Sequence, residues 1–356
     1  MSFFIPVISA LLEKGHSVDL ASSEINGIPA FYRERGCDLY EISCSRSPLH
    51  GGNRKAVGQI RKLVEQNSYD IVHCHTPIAA MCTRLACRKA RKQGTKVFYT
   101  AHGFHFYKGA PLKNWLLYYP VEWLCAHFTD VLITINREDY QLAQKHMHAK
   151  RVEYVPGVGI DADKFANTQV DRAEKRREIG IPADAVMILS VGELNENKNH
   201  QTVLRALAEI DDPSLHYAIA GNGSLKEKLE ELACSLGIGD RFHLLGYRRD
   251  IAELNKSADL YILPSIREGL NVSLMEAMSA GLPVICSDIR GNRDLMEHDS
   301  AGFRYPTFDV TVLIERIKDV VQGIKTKRFE VQGVERMVAY RTDTIQEKIL
   351  ELYGMR

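Results

Sequence analysis

Two glutamates enclose a short stretch of uncharged residues, "EGLNVSLME", which runs from Glu268 to Glu276. It follows the apolar run "DLYILPS" and leads into the helical segment "VSLMEAMSAG", for which Asn271 is a good N-cap and Gly281 a good terminator. Glu268 is then predicted in a loop and Glu276 in the second helical turn, about 7 Å further along the helix axis. Because the first amides of a helix attract anions, a phosphate could bind between the two carboxylates.

This arrangement suits a nucleotide sugar, in which hydroxyl groups lie on both sides of a diphosphate. Each carboxylate could accept hydrogen bonds from hydroxyls while the helix start binds the phosphates. The alternative is purely structural: Glu268 complements the helix dipole and Glu276 is a solvated surface residue. Apolar residues precede and follow Glu276 in the sequence, which disfavours full solvation.

A second candidate lies in the loop "GELNENKNH", which follows the apolar run "VMILSV". Lys198 comes just before a predicted helix start, a position that suits a phosphate contact by a point charge. An ordinary surface lysine is an equally open interpretation. Gly192 and Glu193 lie in the same loop, and an inward-facing Glu193 would repel a diphosphate. Glu193 is therefore expected to point away or to bind something else.

Two glycines, Gly221 and Gly223, separate a strand-like run from a helix in "AIAGNGSLKEKL". They match half of a dinucleotide-binding fingerprint, whose third glycine position is occupied by Lys226. Tight backbone turning is enough to explain both glycines, so a nicotinamide cofactor is disfavoured.

Four histidines follow two predicted strands: His73 and His75 in "IVHCHTP", and His102 and His105 in "YTAHGFHFY". A zinc hydrolase could use such residues, but the acidic partners expected nearby are absent, so no metal site is predicted. His102 is better used as a neutral group that hydrogen-bonds a sugar hydroxyl. His73 is predicted to be a core residue with satisfied hydrogen bonds.

Strand-like and helical segments alternate twice along the chain, which predicts two doubly wound α/β domains in tandem. We place an N-terminal domain at 1–160 and a C-terminal domain at 161–340, with the boundary in "VPGVGIDADKF". A final helix in 341–356 could pack back on the N-terminal domain. The chain opens with a helix where such a domain normally opens with a strand, so the first strand is expected to be missing.

Composition excludes several classes of protein. A net charge of +1 over 356 residues argues against a nucleic-acid partner. The eight cysteines include no CxxC pair and are predicted to be free thiols of a reducing compartment. No apolar run is long enough to span a membrane, and no signal peptide is recognisable.

The expected location is cytoplasmic, with peripheral contact to the inner face of the cell membrane through 108–128. That segment is rich in aromatic residues and leucine and carries lysines at its start, although a buried core helix is about equally compatible with it.

Taken together, the motifs resemble the retaining family-4 glycosyltransferases of GT-B fold, also called group 1, along nearly the whole chain. The most specific motif is Glu-x7-Glu, formed by Glu268 and Glu276. Supporting motifs occur in the expected order: "TAHGFH", "VGELNENKN", "AGNGSLKEKL", "LLGYRRDI", "SADLYILPSIREG" and "MEAMSAGLPVICSD". The resemblance implies two Rossmann-like domains facing a central cleft. Relatives from capsule and exopolysaccharide assembly look similar to the "GELNENKNH" version, which favours that pathway.

The resemblance also implies roles for individual residues. Glu268 should contact the donor sugar, Glu276 the ribose, and Lys198 the diphosphate, while His102 should lie beside the transferred sugar. Arg248 falls where such enzymes contact the base. The remaining donor-binding positions are the amides of Gly269, Leu270 and Asn271, and the loop residues Gly192 and Glu193. Many relatives carry a diphosphate-binding arginine where this chain has Glu193.

The implied reaction transfers a hexose or N-acetylhexosamine from a UDP-sugar, with retention of anomeric configuration and without a metal or other cofactor. A saccharide or a polyprenyl-diphosphate-linked molecule is the expected acceptor. Two alternatives are a UDP-sugar 2-epimerase of the same fold and a non-catalytic sugar-nucleotide binder. An epimerase would turn over its substrate without an acceptor, and a binder would release no UDP from a UDP-sugar.

Overall fold

The computed structural model of the chain describes residues 2–45, 47, 50–296, 302–326 and 337–355. The chain divides into two compact units. The first comprises Met1–Gly159 together with Thr342–Arg356, and the second comprises Ile160–Arg341. The chain therefore leaves the first unit once and returns to it with its last helix.

The first unit is built on short parallel strands with helices between them. Its strands are β1 (Leu20–Ser22), β2 (Leu39–Glu41), β3 (Ile71–His75), β4 (Lys96–Ala101), β5 (Val131–Thr134) and β6 (Arg151–Tyr154). Its helices are α1 (Ile5–Glu13), α2 (Ala30–Glu34), α3 (Gly52–Asn67), α4 (Pro77–Ala86), α5 (Arg88–Lys92), α6 (Leu112–Ala126), α7 (Arg137–His146) and the returning helix α16 (Thr342–Tyr353). Strands β3 to β6 form one parallel sheet in sequential order.

The described strands of the first unit form two separate parallel sheets. Strands β1 and β2 pair only with each other, and no described strand joins them to β3. Helix α16 packs on the four-stranded sheet, where Ile345 and Ile349 join Phe98, Val131 and Ile133 in one buried cluster. The last helix thus completes the core of the first unit.

The second unit carries a single six-stranded sheet, and all of its strands are parallel. Its strands are β7 (Val186–Val191), β8 (Leu215–Ala220), β9 (Phe242–Gly246), β10 (Leu260–Leu263), β11 (Val284–Ser287) and β12 (Gly302–Tyr305). Its helices are α8 (Ala162–Asn167), α9 (Arg172–Glu178), α10 (His200–Ile210), α11 (Lys226–Ser235), α12 (Ile251–Ser257), α13 (Val272–Ser279), α14 (Arg290–Leu295) and α15 (Val310–Lys325).

The strand order of this sheet is β12-β11-β10-β7-β8-β9. Numbered within the unit, it is the doubly wound order 3-2-1-4-5-6 read from the other edge, and its direction reverses between β7 and β10. The strands are nearly continuous apolar runs because helices cover both faces of the sheet. In sheets of this kind, ligands bind beyond the carboxyl ends of the two strands at the reversal. The topology therefore directs attention to the loops after β7 and β10.

Candidate active site

Lys198 and Glu268 come from those two loops and meet each other. Strands β7 and β10 are direct neighbours, with Ile188 opposite Leu260, so the loops that follow them emerge side by side. Lys198 Nζ lies 2.7 Å from Glu268 Oε1, and both side chains are largely shielded from solvent, with 16% and 15% exposed. The structure thus brings together the two charged residues that the sequence places on separate loops.

The start of helix α13 has the cap and the unpaired amides on which the predicted anion site depends. Asn271 is the N-cap, and its side-chain oxygen accepts a hydrogen bond from the Leu274 amide at 2.9 Å. Within the described chain, the amides of Gly269, Leu270 and Asn271 donate to no protein acceptor. Gly281, at φ 81°, directly follows the C-cap of the helix. Unpaired amides at the start of a helix favour a bound anion.

Glu276 lies in the second turn of α13, partly buried rather than solvated. Burial raises the pKa of Glu276 to about 7, and the charge of Lys164 offsets only part of this effect. Helix α8, which carries Lys164, packs against α13. A carboxylate held in such surroundings gains from hydroxyl donors, because they stabilise its charged form.

Two contacts that the sequence analysis missed fix the Glu268 loop. The side chain of Arg290, itself buried, donates from Nε to the Glu268 carbonyl at 3.1 Å. A Cβ on Gly291 would come within 2.1 Å of the Gly269 carbonyl oxygen. The start of α14 therefore packs directly on the loop, and the only signal in the sequence is an arginine-glycine pair after a strand.

Gly192 and Glu193 occupy the loop after β7 beside Lys198. A Cβ on Gly192 would lie 3.0 Å from Lys198 Cε, so glycine leaves room for the lysine side chain. The Glu193 side chain is exposed and accepts a hydrogen bond from Asn195 Nδ2 at 2.9 Å. Glu193 thus binds a neighbour in its own loop.

The interpretation of Gly221 and Gly223 as tight-turn residues is wrong. Neither has a positive φ. A Cβ would lie 1.8 Å from the Gly192 carbonyl oxygen at Gly221, and 2.3 Å from that of Leu194 at Gly223. These glycines allow the loop after β8 to lie directly against the loop after β7.

Arg248 follows β9 and is held by acidic neighbours. Its guanidinium contacts Asp250 at 2.5 Å and Glu178 at 2.6 Å. Lys175 binds the same two acids at 3.0 and 2.8 Å. The predicted contact of Arg248 with a nucleotide base stays a prediction.

In the first unit, His73 and His75 lie in β3, His102 follows β4, and these three residues form hydrogen bonds with each other or with their neighbours. His75 Nδ1 lies 3.1 Å from His102 Nε2. His73 is bonded to Thr100 Oγ1 at 2.8 Å and to Tyr353 OH at 2.6 Å, as expected of a core residue. Burial lowers the pKa of His102, and it lowers that of His73 to about 3. These rings are therefore neutral at physiological pH. No group of three or more histidine, cysteine or acidic side chains in the described chain is arranged to hold a metal ion.

Helix α6, which makes up most of the segment 108–128, has one buried and one exposed face. On its inner face, Glu122 forms a buried ion pair with Arg84 at 2.8 Å and accepts a hydrogen bond from Tyr99 OH at 3.1 Å. Its outer face exposes large apolar side chains: Leu112 (73%), Leu116 (71%), Leu117, Val121, Trp123 and Leu124. The helix is thus only partly a core helix. None of the described helices combines the length and apolar character needed to cross a membrane.

Solved structures and family models identify the class of this fold. Anabaena HepE, crystallised with UDP and glucose, aligns with a TM-score of 0.81 at 18% identity over 99% of this chain and 95% of HepE. WaaG, a glycosyltransferase involved in lipopolysaccharide biosynthesis, aligns at 0.74 and 20% identity over 99% and 95%. The family described as Glycosyltransferase Family 4 matches residues 7–164, and Glycosyl transferases group 1 matches residues 171–332. The fold is GT-B, with two Rossmann-like domains.

The curated relatives agree with this class. EpsD of Bacillus subtilis (strain 168), named as a glycosyltransferase, is 37% identical over 359 residues, covering 99% of this chain and 93% of EpsD. An Escherichia coli protein named UDP-Gal:alpha-D-GlcNAc-diphosphoundecaprenol alpha-1,3-galactosyltransferase is 28% identical, over 84% of this chain and 79% of its own length. The chain belongs to the family-4, group 1 glycosyltransferases.

Proposed function

We propose that this glycosyltransferase moves a hexose or N-acetylhexosamine from a UDP-sugar to a lipid-linked or saccharide acceptor, with retention of configuration, in bacterial surface-polysaccharide synthesis. The observation that carries the proposal is the paired Lys198 and Glu268 beside the unpaired amides of α13. One group is cationic, one is anionic, and the amides attract phosphate. This combination suits a diphosphate joined to a sugar.

The roles follow from these positions. Lys198 and the amides of Gly269, Leu270 and Asn271 would bind the diphosphate, and Glu268 would accept hydrogen bonds from the sugar. Glu276 would accept hydrogen bonds from the ribose, which stabilise its buried charge. The second unit's residues thus account for each part of the donor except the base.

His102 would hydrogen-bond the transferred sugar. Its neutral ring can donate at one nitrogen and accept at the other, and Nε2 is already engaged by His75. Nδ1 is then the atom available to a hydroxyl. A neutral ring also avoids repelling the positive charge that develops on the sugar.

The chemical step we propose needs no protein nucleophile. The bond between the sugar C1 and the diphosphate oxygen breaks, and the acceptor oxygen bonds to C1 on the same face. The acceptor proton passes to a phosphate oxygen of the leaving diphosphate. The protein stabilises the charge that builds up on the departing diphosphate, through Lys198 and the α13 amides. It also orients the sugar through Glu268.

A lipid-linked acceptor is supported by the outer face of α6. Leu117, Val121 and Leu124 follow helical spacing, and Trp123 is 39% exposed beside them. Lys108 and Lys113, which lie just before α6 and in its first turn, are exposed as well. The Escherichia coli relative is also named for a lipid-linked acceptor, alpha-D-GlcNAc-diphosphoundecaprenol. We propose peripheral contact with the inner face of the cell membrane through 108–128.

Replacing Leu112 and Leu116 together by Asp is expected to weaken binding to phosphatidylglycerol vesicles about 100-fold. The change removes two exposed apolar side chains and adds two negative charges, which the anionic lipid repels. Vesicle co-sedimentation measures the effect. The matched control, Phe308→Asp with Val338→Asp, introduces the same charges at exposed apolar residues of the second unit. Equal losses in the two double variants would contradict a role for this face.

Thermal-shift measurements with nucleotides and nucleotide sugars, in the presence of a chelator, test the donor. Stabilisation by UDP and by one UDP-sugar above the others is the expected result, and it selects the sugar for acceptor assays. Stabilisation by GDP or ADP instead would mean that the donor carries that nucleotide and not UDP. An unchanged melting temperature with every nucleotide would overturn the proposed donor site.

A further inference from the structure

The loops after β7 and β10 are joined by hydrogen bonds that do not involve the two charged groups. The Ile266 amide donates to the Asn197 carbonyl at 2.8 Å, and Asn197 Nδ2 donates to the Arg267 carbonyl at 2.9 Å. Asn199 Nδ2 adds a longer bond to the Pro264 carbonyl at 3.3 Å. These contacts fix one loop against the other.

The Lys198 backbone is also held from within its own loop. Its amide donates to Asn195 Oδ1 at 3.0 Å. The following residue, Asn199, is left-handed at φ 51°, a conformation that asparagine tolerates better than most residues. The Asn195 side chain therefore shapes the loop itself. The side chains of Asn197 and Asn199 both reach across to the other loop, and the bond of Asn197 is the shorter of the two.

The position of Asn197 in the sequence makes its side-chain bond informative. Asn197 directly precedes Lys198, and its acceptor, Arg267, directly precedes Glu268. The bond therefore links the backbones immediately before the two charged residues, whose side chains meet at 2.7 Å. A shift of either backbone would be passed directly to Lys198 Nζ or to the Glu268 carboxylate.

We propose that Asn197 is a positioning residue, which places the Lys198 ammonium group for contact with the diphosphate of the donor. The inference rests on the proposed function, since it concerns the same site. In this proposal Asn197 does not contact the donor itself, because its side chain is bonded to the Arg267 carbonyl. It acts through Lys198, so its removal should affect a diphosphate ligand and spare a nucleoside that lacks phosphate.

The test compares UDP with uridine by isothermal titration calorimetry. Asn197→Ala removes the side-chain donor without adding charge, and we expect the Kd for UDP to rise about tenfold while the Kd for uridine changes less than about twofold. Asn167→Ala, an exposed asparagine at the end of α8, is the matched control and should leave both constants unchanged. Should Asn197→Ala fail to fold, Asn197→Ser, whose hydroxyl is too short to reach Arg267, is measured in the same way.

A double-mutant cycle separates positioning from general loosening of the fold. In a Lys198→Ala background, Asn197→Ala should change the Kd for UDP less than about twofold, because the group that it positions is absent. Additive losses, or equal weakening of UDP and uridine, would overturn the inference while leaving the proposed function intact. A wild-type protein that binds no UDP would overturn both.

Discussion

Glu268→Ala is expected to lower sugar transfer by roughly a hundred- to a thousandfold, a loss typical of removing one preorganised electrostatic group, while UDP still binds with nearly unchanged affinity. UDP lacks the sugar that Glu268 would hold, so its affinity does not depend on that carboxylate. In the free protein Glu268 pairs with Lys198 at 2.7 Å. The substitution leaves this lysine to the diphosphate alone, which is a further reason for UDP binding to persist.

Transfer is measured as acceptor-dependent release of UDP, and binding by calorimetry on the same preparation. Glu268→Gln is the isosteric comparison, because it keeps the shape of the side chain and removes only the charge. Glu253→Ala, which removes an acid from the surface of α12, is the control for a general loss of charge. Equal losses of UDP affinity in Glu268→Ala and Glu276→Ala would contradict the separate roles proposed for the two carboxylates.

Glu276→Ala is expected to weaken UDP itself, by about 1–3 kcal/mol, because ribose hydroxyls lose a partly buried acceptor. The pH dependence of the wild type provides a second measure. Hydroxyls donate to the charged carboxylate, and its pKa in the free protein is about 7. The affinity should therefore be constant above pH 7 and fall by up to about tenfold per pH unit below it, since binding must then release a proton. UDP titrates as well, and Glu276→Gln isolates the contribution of the carboxylate.

The same variant is expected to stabilise the free protein. Glu276 ionises near pH 4.3 when unfolded and near 7 when folded. Between these values the folded state holds a proton that the unfolded state has released, so this contribution to stability is present below pH 4.3 and is lost as the pH rises to 7. At pH 8 Glu276→Gln should raise the free energy of unfolding by about 1–3 kcal/mol, measured by urea denaturation, and the gain should vanish near pH 4. If the free energies of unfolding of Glu276→Gln and the wild type differ by a constant amount across this range, folding does not raise the pKa of Glu276.

The sequence allowed much of the second unit to be predicted because its signals are local. The Asn271 cap, the Gly281 terminator and the position of Glu276 in the second turn depend on residues close together in the chain. The meeting of Lys198 with Glu268 is different. It depends on β7 lying beside β10, which is a property of strand order that neither loop encodes.

Contacts across loops were accordingly the ones that the sequence analysis missed. The sequence around Gly221 indicates a tight turn, whereas the reason for the glycine is the Gly192 carbonyl, which belongs to a loop far away in the sequence. The role of Arg290 has the same origin, because its acceptor is the backbone of Glu268. The spacing of His75 suggests only a metal ligand, whereas its bond to His102 follows from the pairing of β3 with β4.

The return of α16 to the first unit has a consequence during translation. The second unit is one continuous segment and can finish folding as soon as it leaves the ribosome. The sheet of the first unit cannot, since Phe98, Val131 and Ile133 acquire Ile345 and Ile349 only after the whole second unit has been made. At a synthesis rate of about 5–20 residues per second, this apolar surface stays exposed for roughly 10 to 40 s before α16 is made and can pack on it. The first unit is therefore the part of this chain that we expect nascent-chain chaperones to bind, because its core is completed only after the second unit has been made.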